Sequence, residues 1–110
     1  MKLNVVERLM SIQLLNDYKE GNFITFKIIK GLRQKLFINE EEANEFEMKV
    51  VDNRYTWNAK GAEPKEIELS EGEISLLKEP LVKMNKENKL IADYVILYEL
   101  FVASEQEQKT

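Results

Sequence analysis

The densest set of side chains able to do chemistry is acidic: Glu40, Glu41 and Glu42 in succession, then Glu45 and Glu47. Grouped carboxylates can hold a divalent cation when the backbone wraps them around it, as calcium loops do with Asp or Asn at alternating positions and a glycine at the turn. That spacing is missing, and adjacent glutamates on a helix point in different directions, so no metal site is expected. Glu40, Glu41 and Glu42 are read instead as an acidic contact surface for a protein partner. Histidine and cysteine are both absent. Histidine is the usual general base near neutral pH, the partner of most Ser and Cys nucleophiles and the commonest metal ligand. Catalysis would therefore fall to carboxylates, lysine or tyrosine, and the expectation is a protein that is not an enzyme and carries no cofactor. Without cysteine, disulfides and thiolate zinc sites are excluded, which points to a cytoplasmic protein.

Two further groups stand out. Tyr55 and Trp57, the single tryptophan, alternate with polar neighbours and so share one face of a strand. Such a pair either packs a sheet onto helices or anchors an interface, and both residues join the candidate contact surface. Lys27, Lys30, Arg33 and Lys35 lie on the polar side of a helical pattern and could meet phosphates, although cations there also simply solvate the outer face of an amphipathic helix. Charge is uneven along the chain: residues 1–38 carry a net +4, residues 39–79 a net −7 and residues 80–110 a net −1.

The elements that must position these groups are legible from periodicity. Asn4 and Glu7 form a capping box ahead of an apolar pattern that predicts a helix over 5–15. Phe23-Ile24-Thr25-Phe26 has strand composition. However, Thr25, Ile28, Ile29, Leu32 and Leu36 recur at helical spacing, which predicts a helix over 23–36 with Asn22 as its cap. Asn39 and Glu42 repeat the box before a short helix over 40–45, whose acidic first turn suits the helix dipole. The period then changes to two, and Asp52-Asn53 is turn chemistry, so a β-hairpin is expected over 46–58. Residues 66–69 read as a third strand. Ser70 and Glu73 form the clearest box, with Leu69 and Ile74 as a hydrophobic staple. The helix that follows meets Pro80, where a kink or restart is expected. A last helix over about 91–103 is apolar nearly all round, which suits either a central core helix or a contact between copies of the chain.

With 110 residues, 44% hydrophobic and 33% charged, the chain has the makings of one globular domain over 1–103 with a frayed polar tail over 104–110. The expected class is α+β, about five helices packed on a small antiparallel sheet of two or three strands. No apolar run approaches the roughly 18 residues of a membrane span, so no membrane partner is expected. The helix–helix–helix–hairpin order matches a winged helix, but the would-be recognition helix is the acidic 40–45 segment, which phosphates would repel, so nucleic acid is a disfavoured partner.

The segments ERLMSIQLLN, GNFITFKIIKGLRQKL, INEEE, YTWN, KEIELSEGEISLLKEPL and LYELFV together resemble small uncharacterised proteins encoded by bacteriophages and prophages of Gram-positive and thermophilic bacteria. The likeness spans residues 3–102 as a general pattern, and that family has no assigned activity. It implies an accessory factor that binds and modulates a host or phage protein. The leading expectation is thus a protein-interaction module. The alternatives are a nucleic-acid-associated regulator using Lys27, Lys30, Arg33 and Lys35, and a virion structural or assembly component that self-associates through the last helix.

Overall fold

Four side-chain caps start the four longer helices among the described residues. A computed structural model describes residues 1–103; the tail expected over 104–110 lies outside the described residues. Helix α1 (Val5–Leu15) opens on Asn4, whose Oδ1 accepts from the Glu7 amide at 2.9 Å while the Glu7 carboxylate accepts from the Asn4 amide. Helix α2 (Phe23–Leu36) opens on Asn22, and α3 (Glu40–Glu45) on the Asn39–Glu42 box. Helix α4 (Glu71–Lys86) opens on the Ser70–Glu73 box. Each cap satisfies backbone donors that the first helical turn leaves without partners. The fold class is α+β, as the patterning implies.

The strands depart from the expected single sheet. The hairpin is shorter than 46–58: β2 (Lys49–Val51) pairs with β3 (Arg54–Thr56) through Lys49↔Thr56, Val50↔Tyr55 and Val51↔Arg54. Asp52 and Asn53 both take positive φ, 52° and 64°, as a two-residue hairpin turn demands. Residues 46–48 do not extend the strand because Phe46 ends α3 and turns into the core, while Glu47 takes a φ of 51°. The segment read as a third strand contributes only β4 (Lys65–Glu66). It does not join the hairpin but pairs antiparallel with β1 (Lys2–Leu3), which the periodicity had not exposed. The described residues therefore form two separate two-stranded ladders.

Buried Leu14 and Leu15 from α1, Leu32 and Leu36 from α2, and Leu77 and Leu81 from α4 form the centre of the main core. Val5, Ile38 and Phe46 form a smaller cluster at the other end of α1, with Leu9, Met48 and Trp57 packed against it. Pro80 does not restart α4, which is helical through it. The C-terminal segment expected as one helix over 91–103 is instead a 3₁₀ turn (Ala92–Tyr94), a short helix α5 (Val95–Tyr98) and a π turn (Glu99–Ala103). No side chain caps its start. Leu97, Phe101 and Val102 of this segment are all buried. Ile91, Val95 and Ile96 remain exposed on the opposite side.

Candidate interaction surface

Arg8 sits on the face of α1 that carries Val5, Ser11 and Leu15, and only 2% of it reaches solvent. A buried guanidinium must be paired and hydrogen-bonded to be tolerated. Its Nη1 donates to Glu42 Oε2 at 2.7 Å and its Nη2 to Glu42 Oε1 at 3.1 Å, a bidentate ion pair. Nε donates to the Leu36 carbonyl and Nη2 to the Phe37 carbonyl, both at 2.9 Å. Those carbonyls belong to the C-terminal end of α2, which has neither a capping glycine nor a left-handed residue, since Phe37 is extended. Arg8 thus does from another helix what a C-cap does locally, placing a cation at the negative end of the α2 dipole.

The Glu42 carboxylate also accepts from Lys65 Nζ at 2.9 Å and from the Asn39 amide. The Arg8 hydrogen bond, reinforced by Lys65 and Asn39 against the cost of burial, holds Glu42 down at about 2. Expecting Glu42 on the acidic contact surface is therefore corrected: it is 4% exposed and faces inward, because a capping-box glutamate folds back over its own helix. Glu73, the equivalent residue of α4, plays the same double part. It accepts from the Ser70 amide and from Lys35 Nζ at 2.7 Å. Its burial is outweighed by these donors, so its carboxyl lies below the usual range.

By fixing the Leu36–Phe37 carbonyls and α3, the Arg8 clamp sets one wall of an apolar groove of about 230 Å³. Leu9, Ile38, Ala43 and Met48 line it as part of the smaller cluster, and Phe37, Lys49, Val50 and Tyr55 complete the lining from exposed positions. Val50 is 66% exposed and Tyr55 is 53% exposed; directly opposed in the hairpin register, they stand on one face of a ladder with no third strand. Glu40 lies one helical turn before Ala43 and so flanks the groove on α3. Glu41 is exposed on the same turn. Two larger clefts, of about 460 and 560 Å³, run along α4 and are bordered by Lys83, Glu79 and Glu87. They touch none of the candidate contact or phosphate-binding residues read from the sequence.

Tyr55 and Trp57 part company. Tyr55 is on the groove, whereas Trp57 lies just past β3, half-buried against the smaller cluster and over Gly61. The four cations of α2 also divide. Lys35 is engaged by Glu73, and Arg33 donates to Asn16 Oδ1 at 2.9 Å. Lys27 and Lys30 are exposed and make no ion pair among the described residues. Arg8 and Phe37 were missed by sequence reasoning. The signal for Arg8 was its position three residues from both Val5 and Ser11 on the face that α1 buries; for Phe37 there was none, since nothing local marks the apolar residue that ends a helix facing out.

No three carboxylates converge as a metal-binding group among the described residues, and no helix among them is long and apolar enough to cross a membrane. Compared with models of protein families, with curated proteins and with solved structures, the chain finds no match.

Proposed function

We propose that this chain is a non-enzymatic protein-interaction module whose contact face is the groove between the hairpin and α1–α3. The observation that carries the reading is the exposed apolar set Phe37, Val50 and Tyr55 around a groove floored by core residues. A two-stranded hairpin is marginal by itself in water, and this one leaves Val50, Val51 and Tyr55 uncovered. Aromatic side chains beside a preformed groove are the kind of anchor that dominates binding energy at interfaces. Glu40 and Glu41 give the neighbouring surface a negative charge, which suits a partner presenting an apolar side chain with basic residues around it. Such charges would speed encounter and select partners more than add affinity. A phage or prophage accessory factor acting on a host protein is the setting that fits this reading.

The non-enzymatic half draws on the absence of His and Cys and on the use of Glu42 and Glu73, the most deeply buried carboxylates among the described residues, as capping and ion-pairing groups. The test is capture from host lysate with the full chain and with a Val50→Asp/Tyr55→Ser variant side by side. A protein retained by the first and lost from the second is expected, with retention weakening as salt rises. Identical captured sets from the two would overturn the proposal.

A further inference from the structure

A second surface, on the opposite side of α2 from the core, has a different chemistry. Phe23 is 81% exposed and Ile24 is 68% exposed, at the first two positions of the helix. Ile29, Leu32 and Leu36 take the buried side. Helical spacing puts Lys27 and Lys30 at i+4 and i+7 from Phe23, on its face, and Ile28 at i+4 from Ile24 beside them. The 14 residues of α2 contain four cations and no carboxylate, in a chain whose net charge is −4. The preceding loop is mixed, with Asp17 and Glu20 beside Lys19.

We infer that this end of α2 docks the protein on an anionic lipid surface, with Phe23 and Ile24 entering the acyl boundary and Lys27 and Lys30 meeting headgroup phosphates. Charge complementarity selects the occupant. A second copy of the chain placed symmetrically on this face would set lysine against lysine. A nucleic-acid strand would use the lysines and stack on Phe23, but Ile24 and Ile28 offer no face for stacking. A protein would need a pocket shaped to a protruding Phe–Ile pair. A bilayer interface accommodates a convex apolar point without one, and it suits apolar residues flanked by lysines whose stems lie along the apolar surface while the ammonium groups stay wet. Contact of this kind needs no membrane-spanning helix. It therefore departs from the expectation that no membrane is a partner, which rested on the lack of an apolar run long enough to span.

The test is sedimentation of the full chain with phosphatidylcholine vesicles with and without phosphatidylserine. Binding to the anionic vesicles, weakening as salt is raised, is expected. Lys27→Glu/Lys30→Glu should reduce partitioning by at least about tenfold, from roughly fivefold per lysine near an anionic surface. Phe23→Ser/Ile24→Ser should reduce it more than tenfold at all salt concentrations, given the apolar area withdrawn from water. These side chains are exposed, so circular dichroism of both variants should match the parent. No sedimentation with anionic vesicles at low salt would overturn the inference. So would equal binding by the Phe23→Ser/Ile24→Ser variant, or retention by a single-stranded oligonucleotide in place of the vesicles.

Discussion

The Tyr18 hydroxyl donates to the Leu76 carbonyl at 2.7 Å. That carbonyl is the one an amide at position 80 would occupy in an unbroken helix, and residue 80 is proline, which has no amide hydrogen. A side chain from the loop after α1 thus supplies the donor that α4 lacks, and α4 continues to Lys86 instead of restarting.

Replacing Tyr18 with Phe should therefore cost about 1 kcal/mol, since it removes the donor from a partly buried carbonyl. In a Pro80→Ala background, where the helix provides its own donor, the same change should cost less. Urea unfolding of the four proteins closes this cycle, and additive costs would show that the two residues are not coupled. Burial, with the Glu79 carboxylate nearby, pushes the Tyr18 hydroxyl up to about 12 from 10.0. The folded state keeps a proton that the unfolded chain gives up near 10, so stability falls as pH rises through that window. Tyr18→Phe should flatten the fall.

Glu42 has the opposite sign. Its folded carboxyl is held at about 2 against 4.5, so the stability it contributes is fully present above 4.5 and is lost as pH falls from there towards 2. The loss is roughly 3 kcal/mol. Glu42→Gln should remove most of this acid limb. It should also cost about 3–5 kcal/mol at neutral pH, because Arg8 is then a buried cation facing a neutral amide. Thermal unfolding of both proteins across the acid range reads the two effects together.

Two glycines should respond to alanine with opposite signs. A Cβ at Gly31 would meet nothing within 4 Å, and its φ is not positive, so Gly31→Ala should stabilise α2 by about 0.5–1 kcal/mol. A Cβ at Gly61 would lie 2.6 Å from Trp57 Cδ1. Gly61→Ala should destabilise by about 1–3 kcal/mol through overpacking and shift the tryptophan emission. Stabilisation with unchanged emission would contradict this contact.

Ser70→Ala should cost about 1 kcal/mol as a lost helix cap. Because the Ser70 backbone amide that holds the Glu73 carboxylate is kept by alanine while Lys35 still donates to Glu73, Lys35→Ala and Ser70→Ala should be close to additive, with little coupling between them. Chemical denaturation of the single and double variants measures that coupling.

The helix bounds were legible because each of the first three helices begins with an asparagine whose side chain can only do one useful thing beside an apolar pattern, and the fourth begins with the Ser70–Glu73 box. The turn at Asp52-Asn53 was legible because positive φ restricts the residues that can occupy it. What escaped depends on partners remote in sequence. Strand β1 is two residues long and exists only through its pairing with Lys65 and Glu66. The passage of α4 through Pro80 depends on Tyr18. The inward turn of Glu42 requires Arg8, which lies 34 residues earlier. Of the surface read from sequence, Tyr55, Glu40 and Glu41 remain outside. Trp57 moves partly in, and Phe37 joins from a helix end whose geometry Arg8 sets.

The position of Trp57 gives the molecule a built-in division of labour between two optical signals. As the single tryptophan it reports the smaller cluster, whereas most of the helical ellipticity comes from segments packed around the larger one. Helix α1 runs through both, with Val5 and Leu9 at one end and Leu14 and Leu15 at the other. Coincident melting by emission and ellipticity would identify one cooperative unit. An earlier emission change would identify the hairpin end as a separately opening unit, with the break falling along α1 between Leu9 and Leu14.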